Sequence, residues 1–91
     1  MGFFYMKCYF YILFSKNLDT YYLGHTSESL EKRIRKHHSH HKGFTAKTKD
    51  WELVYFETFS TKSQAYQREM SVKKKKSRKY IEALINASNQ L

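Results

Sequence analysis

The 91-residue chain has no proline, one cysteine, one tryptophan and three glycines. It is also short of acid: 8 Asp+Glu stand against 17 Lys+Arg, a formal net charge of +9. Each shortage excludes something. A lone thiol, Cys8, cannot close an internal disulfide, so a reducing, cytoplasmic home is the expectation. With no proline, no glycine- or serine-rich stretch and no internal repeat, nothing reads as a linker. A length of 91 residues leaves room for a single domain, 1–91, without a second core. The one long apolar run, MGFFYMKCYFYILF, is broken by Lys7 and is too short and too aromatic to span a bilayer. It also lacks the basic leader and small-residue cleavage site of a signal peptide. Excess positive charge without a membrane anchor favours nucleic acid over a lipid surface as the partner.

What the chain does have is aromatic residues, eight Tyr and seven Phe among them, enough for a small folded core. Residues 8–15, CYFYILFS, are aromatic and β-branched without a breaker and predict a buried strand. KNLD is turn chemistry, and Thr20 to His25 predicts a second strand, closing a hairpin. Gly24 near its end permits close approach of a backbone or ligand. Ser27 is a candidate cap for a helix from Glu28 to about Ser39, with acids first and bases last, as the helix dipole prefers. A polar loop follows. WELVYFETF alternates and predicts a third strand, with Trp51, Leu53 and Tyr55 on one face and Val54 and Phe56 on the other. Thr61 with Gln64 fits a capping box for a helix running to about Lys75. Residues 78–87 predict a last amphipathic helix with Tyr80, Ile81, Leu84 and Ile85 inward. The expected fold is α+β: a small three-stranded antiparallel sheet flanked by helices, in the order β-β-α-β-α-α.

Several residues carry chemistry. On the second long helix Ala65, Tyr66 and Val72 mark the apolar face, and helical spacing sets Glu69 among them. A buried carboxylate needs a partner: a metal, Lys73 one turn on, or Arg33 from the other helix. Arg33 and His37 lie four apart on the first helix, beside Leu30 and Ile34. Arginine offers a fork of donors for phosphate oxygens and histidine moves protons near neutral pH, although a solvated basic face has the same composition. Tyr11 and Tyr22 lie on the two hairpin strands and read either as core aromatics or as phenols held near cationic charge. His37, His38, His40 and His41 suggest zinc, but no paired cysteine or C-x-x-C accompanies them. Lys36, Lys42, Lys47, Lys73, Lys74, Lys75, Lys76 and Arg78 read as an electrostatic track for a phosphate backbone, without sequence specificity.

YFY at 9–11, YLG at 22–24, LEKRIRKH at 30–37 and QREM around Glu69 together resemble the GIY-YIG nuclease superfamily. The likeness is to small stand-alone members close to the nuclease domain of the excision-repair protein UvrC, and it covers residues 8 to 86. No single motif is specific; the motif positions in order, with a matching element order, are. The motif tyrosines fall on Tyr11 and Tyr22, the motif glycine on Gly24, the helix arginine on Arg33, the position one turn later on His37 and the metal-binding glutamate on Glu69. A late asparagine falls more loosely near Asn86. Two features depart from the pattern: Tyr9 stands where the first motif usually has glycine, and the connector HTSES is one residue longer than in many relatives.

The resemblance implies an endonuclease that hydrolyses DNA phosphodiester bonds, in repair or processing. One divalent ion, Mg²⁺ or Mn²⁺, would be held by Glu69 and waters. Arg33 would grip the scissile phosphate, and Tyr11 or Tyr22 would activate water, directly or through His37. A separate protein partner would supply targeting, because small members look like catalytic domains stripped of targeting domains. A rival reading is a basic nucleic-acid-binding module on the same fold that does not cut; an inward carboxylate such as Glu69 is the feature it does not explain. A structural or ribosome-associated basic protein explains the charge alone.

Overall fold

The computed structural model describes residues 7–38 and 43–88. Along the chain it contains strands β1 (Cys8–Ser15) and β2 (Thr20–Thr26), helix α1 (Leu30–His38), a short 3-10 helix (Phe44–Lys47), strand β3 (Glu52–Phe59), and helices α2 (Lys62–Lys74) and α3 (Arg78–Ser88). The three strands form one antiparallel sheet in the order β2-β1-β3. The fold is α+β with the element order that the sequence predicts.

β1 takes the central place because it is apolar on both faces. Phe10, Tyr11, Ile12 and Leu13 are all buried, and a strand of that kind needs cover on both sides. On one face Phe10 and Ile12 pack with Leu23 and Val72, against Tyr80, Ile81, Leu84 and Ile85 of α3. On the other, Tyr11 and Leu13 pack with Trp51, Tyr22 and Leu53, and with Leu30 and Ile34 of α1. Helices α2 and α3 therefore cover one face and α1 the other. The β1–β2 turn is tied down from outside the hairpin. Ser15 Oγ donates to Asp50 at 2.6 Å, the Asn17 backbone N–H donates to the same carboxylate at 2.8 Å, and Arg78 grips Asp19 at 2.8 Å.

Four details differ from the sequence-based expectation. Helix α1 begins at Leu30, and its cap is Ser29, whose Oγ accepts from the Lys32 N–H at 3.2 Å. Ser27 is passed over because the turn continues: the Glu28 N–H bonds Thr26 Oγ1 at 3.0 Å and Glu28 lies before the helix. The loop after α1 contains the 3-10 helix, which periodicity of so few residues does not announce. In β3 a bulge opposite Ile12/Leu13 breaks the alternation. Leu53 stays on the Trp51 side, whereas Tyr55 is turned to the Ile12 face with Val54. Lastly, Tyr66 does not belong to the apolar face of α2; it is 48% exposed. The Thr61–Gln64 capping box is present, with both reciprocal bonds made. Among the described residues no helix is long and apolar enough to cross a membrane.

Candidate active site

The site begins at Gly24. It pairs with Tyr11 across β1 and β2, and the Tyr11 ring leans over it. A Cβ at position 24 would sit 2.5 Å from the Tyr11 hydroxyl and 2.6 Å from Cζ, closer than side-chain contacts allow. Glycine is thus required by the phenol above it rather than by its own backbone angles.

Around that phenol three elements converge. Arg33 Nε–H, from α1, donates to the Tyr11 hydroxyl at 3.3 Å. His37 Nε2, one turn later, lies 2.8 Å from the same oxygen. His37 Nδ1 is 2.8 Å from Thr45 Oγ1 in the 3-10 helix. Arginine can only donate, so Tyr11 accepts from Arg33. With the phenol proton given to His37 Nε2, the imidazole proton sits on Nδ1 and faces Thr45; the opposite tautomer reverses both bonds. Thr45 is in turn fixed by Trp51, whose Nε1–H donates to the Thr45 carbonyl at 2.9 Å. The Tyr22 ring lies edge to face with His37, centroids 5.0 Å apart, and closes that side with Phe44 and Trp51. Tyr11, His37 and Thr45 are all buried.

Electrostatics follow from that burial. Burial pushes the Tyr11 phenol up to about 12; the Arg33 hydrogen bond and charge pull it down, and Tyr22 and Glu69 push it up again. The Tyr11 hydrogen bond in turn holds Arg33 firmly protonated.

Glu69 reaches this region from α2, on the other side of the sheet, and is near enough for its charge to act on Tyr11. Its side chain is 8% exposed and both oxygens are engaged: Oε1 by His25 Nδ1 at 2.6 Å and Oε2 by Lys73 Nζ at 2.5 Å. Of the two ion-pair partners expected from sequence, Lys73 is therefore present, whereas Arg33 is committed to Tyr11. His25 was missed. It follows Gly24 in an alternating strand and so points to the opposite face, toward α2, but only the packing of α2 on β2 says that a carboxylate waits there.

The chemistry of the donors fits a hard divalent cation. Among the described residues no three His, Cys, Asp or Glu side chains converge, so the protein's share would be one carboxylate, with water completing the shell. The ammonium on Oε2 belongs to a half-exposed lysine and already marks a cation position there. His37 and His38 point apart: His38 Nε2–H donates to the Trp51 carbonyl at 2.6 Å. His40 and His41 lie outside the described residues.

The remaining candidates are scattered. Lys36 pairs with Glu28 at 2.8 Å, and Arg78 with Asp19 and Glu82. Lys47 stands over the Phe44 ring and Lys75 over Tyr80. Lys74 and Lys76 are exposed. Lys42 lies outside the described residues. Asn86 is exposed on α3, beside Tyr21 and Glu82. That helix covers the sheet face opposite α1, so Asn86 is not brought to the Tyr11 cluster.

Compared with known proteins, the chain matches the family model of the GIY-YIG catalytic domain over residues 7–81. No curated protein and no solved structure matches it. The matched span contains β1 through the first turn of α3, and with it Tyr11, Gly24, Arg33, His37 and Glu69; the chain belongs to the GIY-YIG catalytic-domain family, a nuclease-type family.

Proposed function

We propose that the protein is a metal-dependent endonuclease that hydrolyses DNA phosphodiester bonds. The observation that carries this reading is the chain of contacts Arg33–Tyr11–His37–Thr45, set beside a buried carboxylate. A core filled for stability alone has little use for a chain of four linked polar groups that includes a buried phenol.

Each residue has a task. Arg33 spends Nε on Tyr11, and its terminal nitrogens make no hydrogen bond to the described residues. They are left to grip two oxygens of the scissile phosphate. Tyr11, with its proton held up to about 12, is a weak base by itself. The contact with His37 Nε2 supplies the remedy: as Tyr11 takes a proton from the attacking water its own passes to the imidazole, so no free phenolate forms. The water oxygen bonds to phosphorus as the P–O3′ bond breaks, and the departing 3′-oxygen takes its proton from solvent. Thr45 keeps the imidazole in the required tautomer, and Tyr22 walls the ring in place. Glu69 would hold Mg²⁺ or Mn²⁺ with waters, supplying charge neutralisation at the departing 3′-oxygen. His25 keeps the Glu69 carboxylate aimed and Lys73 holds its second oxygen; a divalent ion would have to share the carboxylate with that lysine or displace it.

The preference for DNA, a repair or processing role and a targeting partner rest on the likeness to the UvrC-type domain. A reducing compartment suits the buried, lone Cys8 thiol. A second reading, a binding module that does not cut, is favoured by the engagement of both Glu69 oxygens by basic side chains.

Cleavage of plasmid, branched and single-stranded DNA with Mg²⁺, Mn²⁺ or EDTA separates the two. The expected outcome is metal-dependent nicking that falls at least a hundredfold, about 2.7 kcal/mol of barrier, in Glu69→Ala and Arg33→Ala. Tight, salt-sensitive binding without a cut under any metal would leave the binding module instead.

A further inference from the structure

One aromatic feature of the Tyr11 face serves neither the core nor the proposed chemistry. Phe56 stands directly across from Tyr11 in the β1–β3 register and is 50% exposed. Tyr9, the residue that departs from the glycine of the first motif, lies on the same face two positions before Tyr11. Its ring meets Phe56 edge to face, centroids 6.0 Å apart and planes at 70°. Neither residue belongs to the cluster that α1 covers. Tyr11 leans the other way, over Gly24 and β2, rather than over Phe56. Neighbouring strands are about 4.8 Å apart and the Arg33-bound hydroxyl of Tyr11 lies over β2, so Phe56 on β3 is about two strand spacings, roughly 10 Å, from it, the span of one to two nucleotides of a strand laid across the sheet.

We infer that Phe56, with Tyr9 braced against its edge, is a stacking platform for one unpaired base of the bound strand. The inference rests on the nucleic-acid part of the proposed function and names its substrate class. Three points favour a base as the occupant. An exposed phenyl face on the sheet face that also carries the Arg33-bound Tyr11 suits a strand, which offers flat rings and phosphates in alternation. The net charge of +9 draws a polyanion to the surface. In a continuous duplex both faces of each base are already stacked, so a platform of this kind takes only a base that is unpaired or splayed out. The substrate is therefore a strand with an unpaired nucleotide near the scissile phosphate: a single strand, a flap, a gap or a branch.

The test is binding of the full chain, in EDTA so that nothing is cut, to labelled oligothymidylate and to a blunt duplex of equal charge. Anisotropy is read for the parent, Phe56→Leu and Phe56→Trp. Leucine keeps the apolar bulk and removes the ring, so affinity for the single strand is expected to fall roughly five- to hundredfold, the range that stacking of one base spans. Affinity for the duplex should hold within twofold. Phe56→Trp should retain single-strand affinity and show quenched emission on binding. The inference is overturned if Phe56→Leu weakens both ligands equally, or neither, or if the parent binds no single strand. It is also overturned if Phe56→Leu lowers thermal stability without touching affinity, which would make the ring a packing contact for residues 1–6 or for a second copy. A chain that never cuts but shows the Phe56 effect would sink the nuclease reading and leave the platform standing.

Discussion

A methyl group on Gly24 would collide with the Tyr11 hydroxyl at 2.5 Å, and that clash makes Gly24 a measurable part of the site. Tyr11 cannot retreat, because Arg33 and His37 hold its oxygen. Gly24→Ala is expected to cost about 1–3 kcal/mol of stability, as overpacking does, and to abolish cleavage even where the fold survives; urea midpoints beside activity check both. The pH dependence follows from the same burial. Tyr11 is raised to about 12 by burial, and Tyr55 likewise to about 12, by burial and then by its hydrogen bond to Glu57. A phenol whose folded pKa lies above its unfolded value near 10 contributes stability below pH 10 and loses it as pH rises toward 12. The urea midpoint should therefore fall between about pH 10 and 12. Tyr11→Phe and Tyr55→Phe should each make that fall shallower. If both variants track the parent, the burial argument for these phenols is wrong.

At the scale of elements, caps and bulges decide where side chains arrive. Ser29 rather than Ser27 starts α1, so the Arg33–His37 edge is set by the Ser29 bond to the Lys32 N–H. Ser29→Ala should cost about 1 kcal/mol, whereas Ser27→Ala should stay within about 0.5 kcal/mol, measured by thermal melts of the two variants side by side. Equal effects would return the start of the helix to Ser27. Helix α2 is fixed by its capping box and by Arg68, which holds Glu57 of β3 at 3.0 Å. That pairing anchors α2 against the sheet and thereby keeps Glu69 facing inward.

For the whole molecule the governing quantity is charge. Among the described residues, Lys74, Lys75 and Lys76 make no ion pair, whereas Lys36, Lys73 and Arg78 have acidic partners. With Lys47, which also makes no ion pair, the unpaired three are the better candidates for phosphate contacts, and being consecutive those three are the simplest to test together. Log affinity for duplex DNA should fall linearly with log salt, and Lys74→Ala/Lys75→Ala/Lys76→Ala should reduce that slope by about 0.9 for each lysine that meets a phosphate. An unchanged slope would remove the lysine run from the interface.

Patterns a few residues long were legible in the sequence. The hairpin, the third strand, the Thr61–Gln64 box, the inward face of α3 and the burial of Glu69 all follow from periods of two or 3.6 and from turn chemistry, which act locally. The tertiary structure decided what depends on register between distant segments. His25 meets Glu69 44 residues away, and Thr45 meets the imidazole of His37 through a 3-10 helix without a periodic signal. The bulge that turns Tyr55 away from Leu53 exists only where β3 pairs with β1. Local pattern says which face a side chain takes; only packing of one element on another says which group it finds there.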